Sequence, residues 1–333
     1  MRLNKKEHFI RFGLLMTAGL LGVQLAVPVA QILAKPEVAS LLVYLETGRV
    51  VKLQLEPPQE TSPPDTATEA PIPEREKLAF APQDAGLIQV SYSWNCQLDI
   101  PTMLLSELKW DLTEQNPTVL ILHSHATESY TQTADAFYEA SSYYRTLDEA
   151  HNMLRVGQAL AEALEAHGIG VIHDTTLHDH PSYTDAYIRS RETVQKYLEA
   201  YPTIALVLDL HRDAAEMDGG GQLSTHAQVN GRDSAQIMLV VGSNAGGRIH
   251  PRWQENMALA LKLQTALEKR HPGLCRPIVV RTERFNQDLS SGALLVEVGA
   301  AGDTLEEALQ AAEALAEGIY DLSLGTVTEY STS

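Results

Sequence analysis

From residue 118 onward, short apolar runs alternate with longer stretches of helical spacing, and this alternation restricts the chain to few folds. TVLILH (118–123) is a continuous apolar run, short enough for a buried strand. Residues 152–167 set Leu154, Ala159, Leu160, Ala163 and Leu164 at helical spacing and stop at Gly168. The same reading predicts a strand at 169–172 and a helix at 186–200 with Ile188, Val194 and Leu198 on one face. Strands follow at 204–210 and 236–241, a helix at 253–270, and strands at 278–282 and 293–298. A closing helix at 304–320 carries Glu306 and Glu307 in its first turn, where carboxylates favour the helix dipole. Strands alternating with helices predict an α/β domain, a largely parallel sheet flanked by helices on both faces.

The other end of the chain is of a different kind. Arg2, Lys5, Lys6 and Arg11 precede an uncharged run of 23 residues, 12–34. A helix needs roughly 20 apolar residues to cross a bilayer core, whereas a cleavable signal core is typically about 7–15. Residues 1–35 therefore read as a cytoplasmic tip and a single-pass transmembrane anchor, with a cleaved signal peptide as the alternative. The basic flank stays cytoplasmic, so the remainder is expected outside the membrane. There Cys96 and Cys275 meet a disulfide-permissive compartment, although their pairing is not readable from sequence. Residues 36–86 read as a membrane-proximal segment and a Pro-rich stalk, since 56–83 holds seven of the 16 prolines and little apolar material. The globular domain is expected over 87–325, with a tail at 326–333.

Charge excludes one class of partner. Lys and Arg number 25 against 43 Asp and Glu, a net charge of −18. A nucleic-acid binder needs a cationic footprint, and this chain has the opposite balance. Two cysteines are too few for a disulfide framework or a Cys-rich zinc site.

In an open α/β sheet, sites form beyond the carboxyl ends of the strands. The first of these ends holds His123, His125 and Glu128; the third holds Asp209, His211, Arg212 and Asp213. Glu297 interrupts the apolar strand 293–298, where an ionised carboxylate is costly unless it faces a polar site or has a raised pKa. That is the profile of a general base. Imidazole is the commonest metal ligand, and two histidines with a carboxylate and water form a standard catalytic zinc site. His123 and His125 alternate along an extended segment, so one is a ligand and the other structural. Asp148 and Glu149, ahead of the helix at 152–167, are candidates for the third ligand, with Glu128 a weaker competitor. Asp209 or Asp213 can fix a ligand's tautomer. Arg212 can hold a peptide carboxylate or an oxyanion, or else pair with Asp213 or Asp209. His173, His178 and His180 form a polar loop at the substrate rim at most. No G-x-S-x-G or H-E-x-x-H is present, and the Gly-rich run 218–221 neither follows a strand nor opens a helix.

HSHATESY (123–130), the segment 169–198, DLHRDA (209–214), VVGSNAGG (240–247) with Trp253 and Asn256, and LLVEVG (294–299) together resemble the stage II sporulation protein P family. More distantly they resemble zinc-dependent N-acetylmuramoyl-L-alanine amidases of the amidase-3 type. The resemblance covers residues 118–319, and the anchor and stalk also fit it. It implies a peptidoglycan hydrolase of sporulation engulfment that cleaves the amide between N-acetylmuramic acid and L-alanine, and also the peptide cross-link. It implies Zn2+ held by His125, His211 and Glu149, with Asp148 as the alternative to Glu149. Glu297 is then the catalytic acid and base. It also implies engulfment partners, the stage II sporulation proteins D and M.

Overall fold

The computed structural model describes residues 77–92, 94, 97–108, 112, 116–217 and 220–328. The expected anchor, most of the expected stalk, and Cys96 lie outside the described residues. Arg75–Ser333 forms one compact unit. Among the described residues, no helix is long and apolar enough to cross a membrane.

Seven strands build the central sheet. They are β2 (Val90–Tyr92), β3 (Val119–Leu122), β4 (Val171–His173), β5 (Leu206–Asp213), β8 (Ile237–Gly242), β9 (Ile278–Arg281) and β10 (Ala293–Ala300). Their spatial order is β2-β9-β8-β10-β5-β3-β4. All neighbouring pairs are parallel except β10 with β8. The sheet is thus two parallel blocks running in opposite directions, joined at one antiparallel seam. The connection from β5 to β8 contains a small hairpin, β6 (Ala227–Val229) and β7 (Arg232–Ser234), whose two-residue turn is Asn230-Gly231. Both turn residues have positive φ, 53° and 77°, the geometry that suits a tight hairpin and that Asn-Gly tolerates best. Since β8 runs opposite to β10 and β5, it enters the sheet from the edge at which β5 leaves it.

Side-chain alternation sends the two faces of each strand into different cores. Val119, Ile121, Leu206, Leu208 and Leu210 join the main core. It packs on α2 (Met153–Ala166), α4 (Trp253–Arg270) and α5 (Leu305–Ser323). Leu120, Leu122 and Val207 face the other way, against Val194 of α3 (Ala186–Ala200), and Met238, Val240 and Leu295 pack against Phe285. Cover on both faces is what a parallel sheet requires. Asn152 caps α2 by accepting from the Leu154 amide, and Thr304 with Glu307 forms a capping box on α5.

The compact unit begins earlier than composition suggests. Within the expected stalk, Leu78–Phe80 forms β1 and pairs in parallel with β11 (Thr326–Thr328), inside the expected tail. Phe80 is 2% exposed, and Lys269 ties this segment down through the Ala79 carbonyl and Asp84, each at 2.7 Å. Further on, Asp99 caps the short helix α1 (Ile100–Leu105), which buries Leu104.

Candidate metal centre

Because β3, β5 and β10 are parallel, their carboxyl ends open at one sheet edge. His125 lies just past β3, His211 near the end of β5, and Glu297 in β10 as the register partner of His211. In-register neighbours of a parallel pair share a face, so His211 and Glu297 stand side by side. A tight turn in which the Glu128 amide donates to the His125 carbonyl (3.2 Å) folds Glu128 back beneath both histidines.

Glu128 Oε1 lies 3.6 Å from His125 Nδ1, and Oε2 lies 3.5 Å from His211 Nδ1. The potential ligand atoms of the three residues all lie within 4.8 Å of one another, and all three side chains are buried. The His125 and His211 rings meet edge to face with centroids 5.0 Å apart. His211 Nε2 lies 3.0 Å from Asp209 Oδ1, leaving Nδ1 toward the centre. Asp209 is held in turn by the Ser124 amide (2.7 Å) and hydroxyl (2.6 Å). Asp209 thus sets a negative charge behind the His211 ring, although Nε2 makes no hydrogen bond among the described residues. The donor set of two imidazoles and one carboxylate suits zinc, with room for water as a further ligand.

The electrostatics follow from burial and neighbours. Burial lowers the His125 pKa to about 4 against the attraction of Glu128, so its imidazole is neutral at pH 7, the form that binds a metal. Burial alone would raise Glu128, but the His211 contact and the charges of Arg212, His211 and His125 outweigh it and keep the carboxylate ionised. His211 is also opposed by burial, yet Asp209 and Glu128 raise it well above its usual value. Glu297 is pushed up to about 8, chiefly by burial and against the pull of His211. Its Oε2 is closed off from solvent and, among the described residues, has no hydrogen-bond partner. An acid tuned near neutrality with a free oxygen aimed from a strand is equipped to exchange a proton.

The structure brings His125, His211 and Glu297 together, but it leaves Glu149 outside the cluster and holds Arg212 on backbone carbonyls. Glu149 is exposed in the turn before α2 and takes no part in the cluster. Its neighbour Asp148 is engaged locally by the Ala150 amide and His151. Glu149 lies in the turn ahead of α2, which starts at Met153, and it is Glu128 that groups with the two histidines. Arg212 is buried, with Nε donating to the Ser129 carbonyl (3.0 Å) and Nη2 to the Tyr144 carbonyl (2.8 Å). Its Nη1 is 3.8 Å from Glu128. This guanidinium is occupied in bracing the ligand loop, so it does not face a substrate. Neither Asp209 nor Asp213 pairs with it, and Asp213 binds Arg276 at 2.7 Å.

His123 is the structural member of its pair. Its Nδ1 meets the Leu210 carbonyl (3.2 Å) and its Nε2 meets His173 Nε2 (2.9 Å). His178 is likewise engaged on both nitrogens, by the His123 carbonyl and Thr193. The sequence reading missed Arg145, which bonds Glu128 (3.0 Å) and Asp179 (2.7 Å), and two tyrosines at the start of α3. Tyr183 stacks on His125 with centroids 4.5 Å apart; Tyr187 meets His125 at 5.3 Å and His211 at 6.2 Å. Tyr183 precedes α3 and the left-handed Asp185 separates it from Tyr187, so their four-residue spacing is not helical and offered no local signal.

The stage II sporulation protein P of Bacillus subtilis strain 168 is 28% identical over 274 residues, covering 78% of this chain and 63% of that relative. The chain thus spans less than two thirds of that relative's length. Among solved structures, the N-acetylmuramoyl-L-alanine amidase AmiC2 of Nostoc punctiforme is similar over 61% of this chain and 94% of its own, at 15% identity and a TM-score of 0.37. The N-acetylmuramoyl-L-alanine amidase of Clostridium difficile 630 is similar over 64% of this chain and 99% of its own, at 16% identity and a TM-score of 0.36. The sequence profile of the Stage II sporulation protein P (SpoIIP) family matches residues 43–320, most of the chain, and the chain belongs to that family.

Proposed function

We propose that this protein is a peptidoglycan hydrolase of sporulation, a zinc-dependent N-acetylmuramoyl-L-alanine amidase. The observation that carries the reading is the buried His125–Glu128–His211 group with Glu297 beside it, whose Oε2 has no hydrogen-bond partner among the described residues. A bound zinc supplies positive charge that polarises the scissile carbonyl and brings the pKa of a water toward roughly 7. The chain's own residues do the rest. Asp209 sets its charge behind His211, while Arg145 and Arg212 keep Glu128 ionised and in place. Glu297 takes the proton of the attacking water as its oxygen bonds to the carbonyl carbon. When the C–N bond breaks, Glu297 returns that proton to the departing alanine nitrogen. In the same reading the chain is held by the 12–34 segment in the membrane with its catalytic unit outside the cytoplasm. It acts there with other engulfment proteins such as the stage II sporulation proteins D and M.

Digestion of purified cell wall by the full-length chain in detergent, with and without chelator, tests the reading. Metal-dependent release of stem peptides bearing a free L-alanine amine is expected. Products cut only between peptide residues would make the protein a zinc peptidase instead. Release that survives complete chelation would remove zinc from the reading.

A further inference from the structure

We propose that Tyr187 is a catalytic residue of this site, its phenolic hydroxyl donating a hydrogen bond to the oxygen of the scissile carbonyl as negative charge gathers there. This rests on the amidase reading and adds to it the group that stabilises the oxyanion. Beside the positive charge a bound metal would supply, a fixed hydrogen-bond donor aimed at the developing oxyanion adds a large contribution to rate.

The first candidate by sequence, Arg212, is excluded because its guanidinium is bound to the Ser129 and Tyr144 carbonyls. The other polar side chains around the cluster are equally engaged. Arg145 is bound to Glu128, Asp179 and Thr127. The Ser124 hydroxyl serves Asp209 and that of Thr127 serves Asp179.

Tyr187 differs. Its ring lies across both histidines, edge-on to His125 (73° between planes) and nearly parallel to His211 (14°). Among the described residues its hydroxyl has no hydrogen-bond partner, although the charges of Asp209, Glu128 and Glu297 all act on it. The ring contacts set Tyr187 against both histidines of the group that Glu128 joins. The ring is also held firmly. Asn286 Nδ2 donates to the Tyr187 carbonyl (2.8 Å), Phe285 packs at 5.8 Å, and the left-handed Asp185 (φ 67°) turns the chain into α3 just before it. Tyr183 meets only His125 of the two histidines and is 59% exposed.

The step balances without an added reagent. Water oxygen bonds to the carbonyl carbon, the carbonyl π pair moves onto oxygen, and the Tyr187 O–H holds that oxygen without losing its proton. When the pair returns, the C–N bond breaks, and nitrogen leaves with the proton carried by Glu297.

Tyr187→Phe keeps the ring against both histidines and deletes only the donor. On a soluble muropeptide with an intact muramoyl–L-alanine bond, kcat of the full-length zinc-loaded variant is expected to fall on the order of 10²-fold while KM stays near its parent value. Bound zinc per chain, measured by elemental analysis, should be unchanged. A phosphonamidate analogue with tetrahedral oxygens should bind the variant more weakly by the same factor as the loss in kcat/KM. A variant with near-parental kcat would overturn the proposal, as would a loss of activity that merely tracks lost zinc. If the parent chain itself frees no peptide from muramic acid, the amidase reading fails, and the proposal falls with it.

Discussion

At the scale of single residues, the site separates groups that bind from groups that move protons. Glu128 touches both histidines, whereas Glu149 is exposed. Glu128→Gln should lose zinc on dialysis against a weak chelator, and Glu149→Gln should keep it; metal content per chain reads both. Equal zinc in the two variants would return the third ligand to open question. Glu297→Gln is expected to keep the metal yet lower turnover by on the order of 10²- to 10⁴-fold, the usual worth of a general acid–base. Loss of metal on that change would make Glu297 a ligand instead. These roles were unequally legible. Strand-end histidines and a glutamate within an apolar strand stand out in any one sequence. Glu128 does not, because its place depends on a turn that folds it back under His125, and no periodicity records that turn.

At the scale of elements, the helices were the easiest part to read. The 186–200 and 253–270 stretches agree with α3 and α4 in extent, although Ile188, expected on the buried face of α3, is exposed. The antiparallel seam was not foreseen, since strand direction leaves no trace in periodicity. Helix α2 offers a test in which propensity and packing disagree. Propensity alone predicts that alanine in place of a mid-helix glycine stabilises by about 1 kcal/mol. A Cβ on Gly157, however, would sit 2.5 Å from Nε2 of both His123 and His173. Gly157→Ala should therefore destabilise by about 1–3 kcal/mol, read from the urea midpoint. An unchanged or higher midpoint would show that the two imidazoles can move aside.

At the scale of the whole molecule, the boundary of the compact unit matters most. Composition assigned residue 80 to a stalk, yet Phe80 is buried in the main core beneath Lys262 and Lys269, whose Nζ atoms lie 5.2 and 5.8 Å from its ring. Phe80→Ala should cost about 3–5 kcal/mol in chemical denaturation of the 75–333 unit, as for other buried phenylalanines. A stalk residue would cost almost nothing, so the measurement separates the two assignments. The global acidity, −18, is also put in context at this scale. It argued against nucleic acid, but the candidate site is set by a few local groups whose charges are paired within it.

By itself, the sequence determined the class of fold, the order of its elements and the strand ends at which chemistry gathers, because burial patterns and residue types are written locally. Tertiary structure alone decided the sheet's antiparallel seam, the choice of Glu128 over Glu149, the binding of Arg212 inside the ligand loop and the place of Tyr187 across both histidines. Each of these depends on groups far apart in sequence meeting within a few ångströms, and that distance is set by packing rather than by any local pattern.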